Sequence, residues 1–214
     1  LSKDDHFHCR KHWKYRSSFK FLENQKTLQK KGYDNFKNRF EGINDLSYMK
    51  KNQYSSKHSI PFDGKFDGVV FLHDFFDSPH IFRDMVFEDF YEWTVYTIQF
   101  SIKNKLNIGF KPHPNQLDES RQVVNKLKLE YPKINWIDEN ISNKSIFYSG
   151  IKYGVSVYGT VLTELAYHKI IPICCGDNPS SSYNFIFEAK NIAQYNFFLK
   201  NYKSLNLPSE IDLE

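Results

Sequence analysis

One stretch, Gly154–Phe185 (GVSVYGTVLTELAYHKIIPICCGDNPSSSYNF), limits most tightly what this chain can fold into. It reads as a short buried strand at Gly154–Tyr158, a Gly-Thr turn, a helix at Val161–His168 and a second buried strand at Ile170–Cys175. A polar loop, Gly176–Asn184, follows. Val161, Leu162, Leu165 and Ala166 recur at helical spacing and so share one face. Strand, turn, helix and strand in so few residues make a βαβ unit, whose strands run parallel. Ligands of parallel sheets bind at the carboxyl ends of the strands, where helix N-termini offer N–H groups to anions. That place is Tyr158-Gly159-Thr160, with Glu164 one helical turn on. The pattern predicts that a nucleotide mono- or diphosphate docks there.

Two further strand ends carry polar clusters. Asp67–His73 (DGVVFLH) has the apolar, β-branched character of a strand buried on both faces. It runs into HDFFDSPH, so His73, Asp74, Asp77 and His80 gather at its carboxyl end, as candidates for substrate contact or proton transfer. A plainer account makes His73 a core histidine and Asp77 or Ser78 the N-cap of a helix opening at Pro79. That helix would carry Phe82, Met85, Val86, Phe90, Trp93 and Phe100 on one stripe. The next strand, Leu106–Lys111, ends in Lys111-Pro112-His113-Pro114. Prolines on both sides hold the backbone of His113, and a fixed imidazole beside a lysine suits a phosphate oxygen. Asn115 is the expected cap of a helix running to Tyr131. A short strand at Ile134–Trp136, a helix at Asn143–Ser149, and helices at Phe185–Lys190 and Gln194–Tyr202 complete the alternation. From Asp67 to Tyr195 this predicts an α/β fold, a Rossmann-like, mostly parallel sheet flanked by helices.

Charge divides the chain in two. Residues 1–60 carry 14 Lys/Arg against 6 Asp/Glu, whereas 61–214 carry 15 against 19. Residues 1–60 are read as a basic segment, weakly structured or helical around Phe19–Lys31 and Asp45–Lys51, and 61–214 as the α/β domain. A basic segment of this kind is most simply a solvated helical face or linker, and can also contact anionic lipid headgroups at a membrane periphery, nucleic acid or a polyanionic substrate. His6, His8, Cys9 and His12 lie close together but have no second ligand pair, so no metal is assigned. Cys174 and Cys175, adjacent in a buried strand, form no disulfide framework, and a reducing, cytoplasmic setting is expected. No apolar run is long enough to span a bilayer. The chain starts at Leu1 rather than Met, as a fragment or a processed chain would.

Neither G-x-G-x-x-G nor G-x-x-x-x-G-K-[ST] occurs, and there is no Asp-x-Asp. The KPHPN of Lys111–Asn115, with SVYGTVLTE at Ser156–Glu164 and CGDNPSSSYNF, resembles the donor-binding, C-terminal half of bacterial capsule-polysaccharide-type glycosyltransferases of the GT-B fold. Similar pairs of a His-Pro motif and a Ser/Thr motif occur in bacterial sialyltransferases, Kdo transferases and CDP-glycerol glycerophosphotransferases. The resemblance implies a metal-independent enzyme without a cofactor, whose substrate is a nucleotide-activated sugar and whose acceptor is a polysaccharide or glycolipid; no nucleic acid is implied. His113 and Lys111 would face the donor phosphate, Ser156, Gly159 and Thr160 would present hydroxyl and N–H groups to it, and Glu164 would accept from the ribose. Asn178, Ser180, Ser181 and Ser182 would close over the nucleotide or sugar. The catalytic candidates of this chain are His113, which would stabilise the departing phosphate, and Asp74, Asp77 and His80, any of which would be the base were the chain active alone; in a GT-B enzyme the base usually lies in the N-terminal domain. A polyol-phosphate (CDP-glycerol-type) transferase and a non-catalytic nucleotide-sugar-binding scaffold are the alternatives. A complete GT-B enzyme has a second domain that holds the acceptor, and residues 1–60 are too short to be one.

Overall fold

The computed structural model describes residues 17–41, 43, 62–78, 85–178, 180–181 and 183–207. In chain order the elements are α1 (Gln25–Phe40), β1 (Gly68–Phe71), α2 (Phe90–Asn104), β2 (Ile108–Lys111), α3 (Asp118–Glu130), β3 (Asn135–Trp136), α4 (Asn143–Tyr148), β4 (Tyr153–Ser156), α5 (Val161–Tyr167), β5 (Ile171–Cys174), β6 (Phe187–Glu188) and α6 (Ile192–Lys200). The six strands form one sheet in the order β3-β2-β1-β4-β5-β6, and every pair is parallel. The domain is α/β and Rossmann-like.

Strand alternation explains how helices cover both faces. Val70, Val155 and Ile173 pack with Phe90, Trp93 and Ile98 of α2 and with Tyr195 and Leu199 of α6. Their neighbours Val69 and Phe71 point the other way, toward Ile146 and Phe147 of α4 and Val161 and Leu165 of α5, as the two-residue period of a strand requires. A buried polar knot ties α2 to α6: Trp93 Nε1 donates to the Tyr195 hydroxyl at 2.9 Å, which lies 2.8 Å from Thr97 Oγ1. At Gly154 a Cβ would stand 2.4 Å from Leu165 Cδ1, so glycine lets α5 lie close against β4.

The expected βαβ unit forms: β4 and β5 pair from Tyr153↔Ile171 to Ser156↔Cys174. Several boundaries differ. Of the helix expected from Pro79 onward, residues 79–84 lie outside the described residues, 85–89 are not helical, and α2 opens at Phe90, where Asp89 caps it by accepting from the Glu92 N–H. Met85 and Val86 are not helical, because this segment pairs with the end of β5, Val86 N–H donating to the Cys175 carbonyl at 2.8 Å. The helix expected at Phe185–Lys190 is replaced by a sixth strand, β6, which covers the edge of β5 through Ile173↔Phe187 and Cys174↔Glu188. An open strand edge leaves N–H and C=O groups without partners, and that demand outweighs local helical spacing. In the basic segment the helix runs Gln25–Phe40, later than expected; the helix expected at Asp45–Lys51 lies outside the described residues. No helix among the described residues is long and apolar enough to cross a membrane.

Candidate functional site

A cavity of about 470 Å³ opens at the carboxyl ends of β1, β2 and β4. Between β1 and β4 the strand order reverses, and in open α/β sheets the crevice at such a point is the ligand position. Lys111, His113, Thr160 and Glu164 all line it, together with His73, Asp74 and Asp77. Motifs some forty residues and more apart in the sequence thus meet in one wall. A second groove, between α2 and α6, is lined by Tyr96, Phe100 and Phe197 with Lys103 and Lys200 but by no histidine or carboxylate.

His113 is held as a neutral donor. Its Nδ1 accepts from the Asn115 N–H at 3.2 Å, so the ring proton sits on Nε2. Burial, then the neighbouring Lys111, lowers its pKa against the opposing pull of Asp74, Asp77 and Glu139. Lys111 itself is almost wholly buried, and its Nζ donates to the Glu139 carbonyl at 3.3 Å. Desolvation brings the ammonium down to about 8, with Glu139, Asp138 and Glu164 opposing the fall.

His73 is a structural clasp. Its Nε2 lies 3.1 Å from Ser156 Oγ and 3.4 Å from the Tyr158 N–H, which it accepts, and its ring stacks on Phe90 with centroids 4.5 Å apart. Burial, with His113 second, pushes its pKa down to about 3. Neutral His73 therefore ties the end of β1 to the end of β4. Ser156, expected to offer its hydroxyl to a phosphate, is buried and donates to the Phe71 carbonyl at 3.2 Å. The hydroxyl serves the sheet, although the residue still borders the cavity.

Asp74 also has a structural task. Its carboxylate accepts from Phe76 N–H at 2.9 Å, Leu117 N–H at 2.6 Å and Ser120 Oγ at 2.5 Å. It thereby caps α3 from outside, where Asn115 was expected; the helix's own N-cap residue, Leu117, has no side-chain oxygen to do so. Partial burial raises its pKa, but the bonds from Ser120, Leu117 and Phe76 outweigh that, and the carboxyl sits below its ordinary value. An acid so committed is a poor base. Asp74→Ala is expected to lower stability by about 1–2 kcal/mol, the worth of a strong cap. Urea unfolding with amide exchange in α3 measures this, and an unchanged midpoint would contradict the cap. Asp77, by contrast, is exposed at the cavity rim, where its carboxylate accepts from the Ser78 N–H at 2.8 Å.

At α5 the expected open N-terminus is partly closed. Leu162 N–H donates to the Gly159 carbonyl and Thr163 N–H to that of Thr160, so these groups turn back on the chain. Glu164 is 2% exposed rather than at the surface, and Arg39 of α1 reaches it: Nε donates to Glu164 Oε1 at 2.7 Å and Nη2 to Thr160 Oγ1 at 3.1 Å. Sequence reading passed over Arg39. The signal it missed was Phe36 and Phe40, one turn apart, which stack on Tyr167 at 6.1 and 4.8 Å. Asn143, also overlooked, borders the cavity, and its buried Oδ1 has no hydrogen-bond partner among the described residues.

None of the described residues of the polar loop after β5 lines the cavity. Asn178 Oδ1 accepts from Ser180 N–H, Ser181 Oγ accepts from Asn178 N–H, and Ser180 Oγ pairs with Thr163 Oγ1 at 3.0 Å. Asn178, Ser180 and Ser181 close their own turn instead of a ligand. Ser182, His80 and the His6–His12 cluster lie outside the described residues. Among the described residues no group of three His, Cys, Asp or Glu side chains is placed to hold a metal ion. Compared with known proteins, the chain matches no family model, no curated protein and no solved structure.

Proposed function

We propose that this chain is the donor-binding half of a GT-B-type glycosyltransferase, which binds a nucleotide-activated sugar for transfer to a polysaccharide or glycolipid acceptor of a bacterial surface or capsule. The observation that supports this most is the meeting of Lys111-Pro112-His113-Pro114 with Thr160 and Glu164 around one cavity at the switch point of a parallel sheet. In this reading the acceptor oxygen attacks the anomeric carbon, and the bond from that carbon to the phosphate oxygen breaks. The departing nucleotide keeps the electron pair. His113 Nε2–H donates to its phosphate, and the Lys111 ammonium nearby favours the added charge. Asp77, an exposed carboxylate of the lining, takes the acceptor proton. Phe76 and Leu117 form an exposed apolar lip suited to the face of a base. The acceptor half is supplied by a separate domain or chain, because transfer needs both substrates held in reacting geometry.

Titration calorimetry with CMP, CDP, UDP and GDP tests this. At least one is expected to bind, and His113→Ala is expected to weaken it by roughly ten- to a hundredfold, the worth of a charge-assisted hydrogen bond. Asp77→Asn should leave that affinity unchanged. A chain that binds none of the four, or binds one equally well without His113, would remove the donor-site reading.

A further inference from the structure

We infer that Arg39 is the residue that grips the phosphate in this cavity, so that helix α1 of the basic segment is a wall of the site. The inference rests on the reading of the cavity as a nucleotide site and adds to His113 and Lys111 a guanidinium in direct contact with the phosphate.

The placement of Arg39 is built from both ends. Phe36 and Phe40 of α1 stack on Tyr167 of α5, and Phe40 meets His168 edge-on at 4.9 Å. Between these two anchors in the sequence, Arg39 turns into the cavity wall, with its side chain 15% exposed. Its Nε edge is held by the buried Glu164 carboxylate at 2.7 Å, which fixes the plane of the guanidinium. From that anchored position Nη2 reaches the hydroxyl of Thr160, an exposed residue on the lining, at 3.1 Å. A bond to an exposed hydroxyl exchanges readily for one to a phosphate oxygen, which is the stronger acceptor. Glu164 can keep its hold on Nε while that exchange takes place. The guanidinium carries its charge at every working pH and offers its donors in a planar fork matched to phosphate.

The other basic groups of the wall cannot do this. His113 presents one neutral N–H, and Lys111 Nζ is drawn back onto the Glu139 carbonyl. Glu164 thus becomes the positioning residue that aims Arg39, rather than a contact of its own to the ribose.

The test compares ligands with and without phosphate. CDP and UDP, cytidine and uridine, and inorganic pyrophosphate are titrated against wild type, Arg39→Ala and Arg39→Lys, with melting temperatures measured alongside. Arg39→Ala is expected to weaken the diphosphates and pyrophosphate by roughly tenfold or more while leaving the nucleosides within about twofold. Arg39→Lys, which keeps the charge without the fork, should fall between. Should Arg39→Ala fail to fold, the lysine variant decides: a loss confined to phosphate ligands supports the clamp, and no such loss overturns it. Equal weakening of nucleoside and diphosphate would mean a collapsed wall and overturn the inference, as would unchanged diphosphate affinity. Arg39-dependent binding of pyrophosphate without any nucleotide binding would keep the clamp and remove the nucleotide reading. A wild type that binds none of these ligands overturns both.

Discussion

Lowering the pH from 7 to 5 is expected to cost the folded chain about 2 kcal/mol of stability through His73 alone. The sign follows from where the proton goes. In the unfolded chain this imidazole titrates at 6.5, whereas in the fold burial holds it down to about 3. Below 6.5 the unfolded state therefore binds the extra proton, so the contribution is complete above 6.5 and is lost steadily as pH falls toward 3. A charged His73 would also have to turn a donor toward the Tyr158 N–H that Nε2 now accepts, opening the junction of β1 and β4. His113 and His168 are shifted in the same direction by burial and add to the loss. Urea unfolding at pH 7, 6 and 5 measures it for wild type and His73→Gln. The variant is expected to start less stable but to lose about 1 kcal/mol less per unit between pH 6 and 5. Parallel profiles would show that His73 takes its proton within the fold, and the clasp would have to be abandoned.

How much of this was legible in the sequence depended on how local the cause was. β1, β2, β4 and β5 were readable because strands buried on both faces are near-continuous apolar runs, and the βαβ unit followed from its spacing. The convergence of His113, Thr160 and Glu164 was also within reach, since topology alone carries strand ends to one edge of a parallel sheet. What escaped was set by distant partners. Asp74 caps a helix that begins 44 residues later in the chain, and no local pattern announces that. Phe185–Lys190 has plausible helical spacing, yet two of its residues are drawn out as β6 by the open edge of β5. Asn178, Ser180 and Ser181 look like part of a ligand loop because turn-formers and ligand-binders are the same residue types; here the turn uses them. Arg39 was hidden by its setting in a lysine-rich stretch, where one cation does not stand out until its two aromatic neighbours are seen to pack.

Glu164→Ala is expected to destabilise the chain by about 2–3 kcal/mol, more than the roughly 0.3–1 kcal/mol that an exposed carboxylate near a helix N-terminus contributes. The difference lies in burial. At 2% exposure the carboxylate is removed from water, and Arg39 Nε is its partner at 2.7 Å. Taking away one member of a buried pair leaves the other with an unmet charge, at a typical cost of roughly 3–5 kcal/mol. Arg39 keeps 15% exposure and can swing its guanidinium partly back to water, which brings the expected loss below that range. Glu164→Gln should fall between wild type and alanine, because an amide oxygen still accepts from Nε but carries no charge. If the two residues act only through each other, Arg39→Ala with Glu164→Ala will cost little more than either change alone, a coupling of about 1–3 kcal/mol. Chemical denaturation of the four proteins gives that number. Additive losses would mean that Glu164 is held by something other than Arg39, and the aiming of the guanidinium toward Thr160 would need another cause.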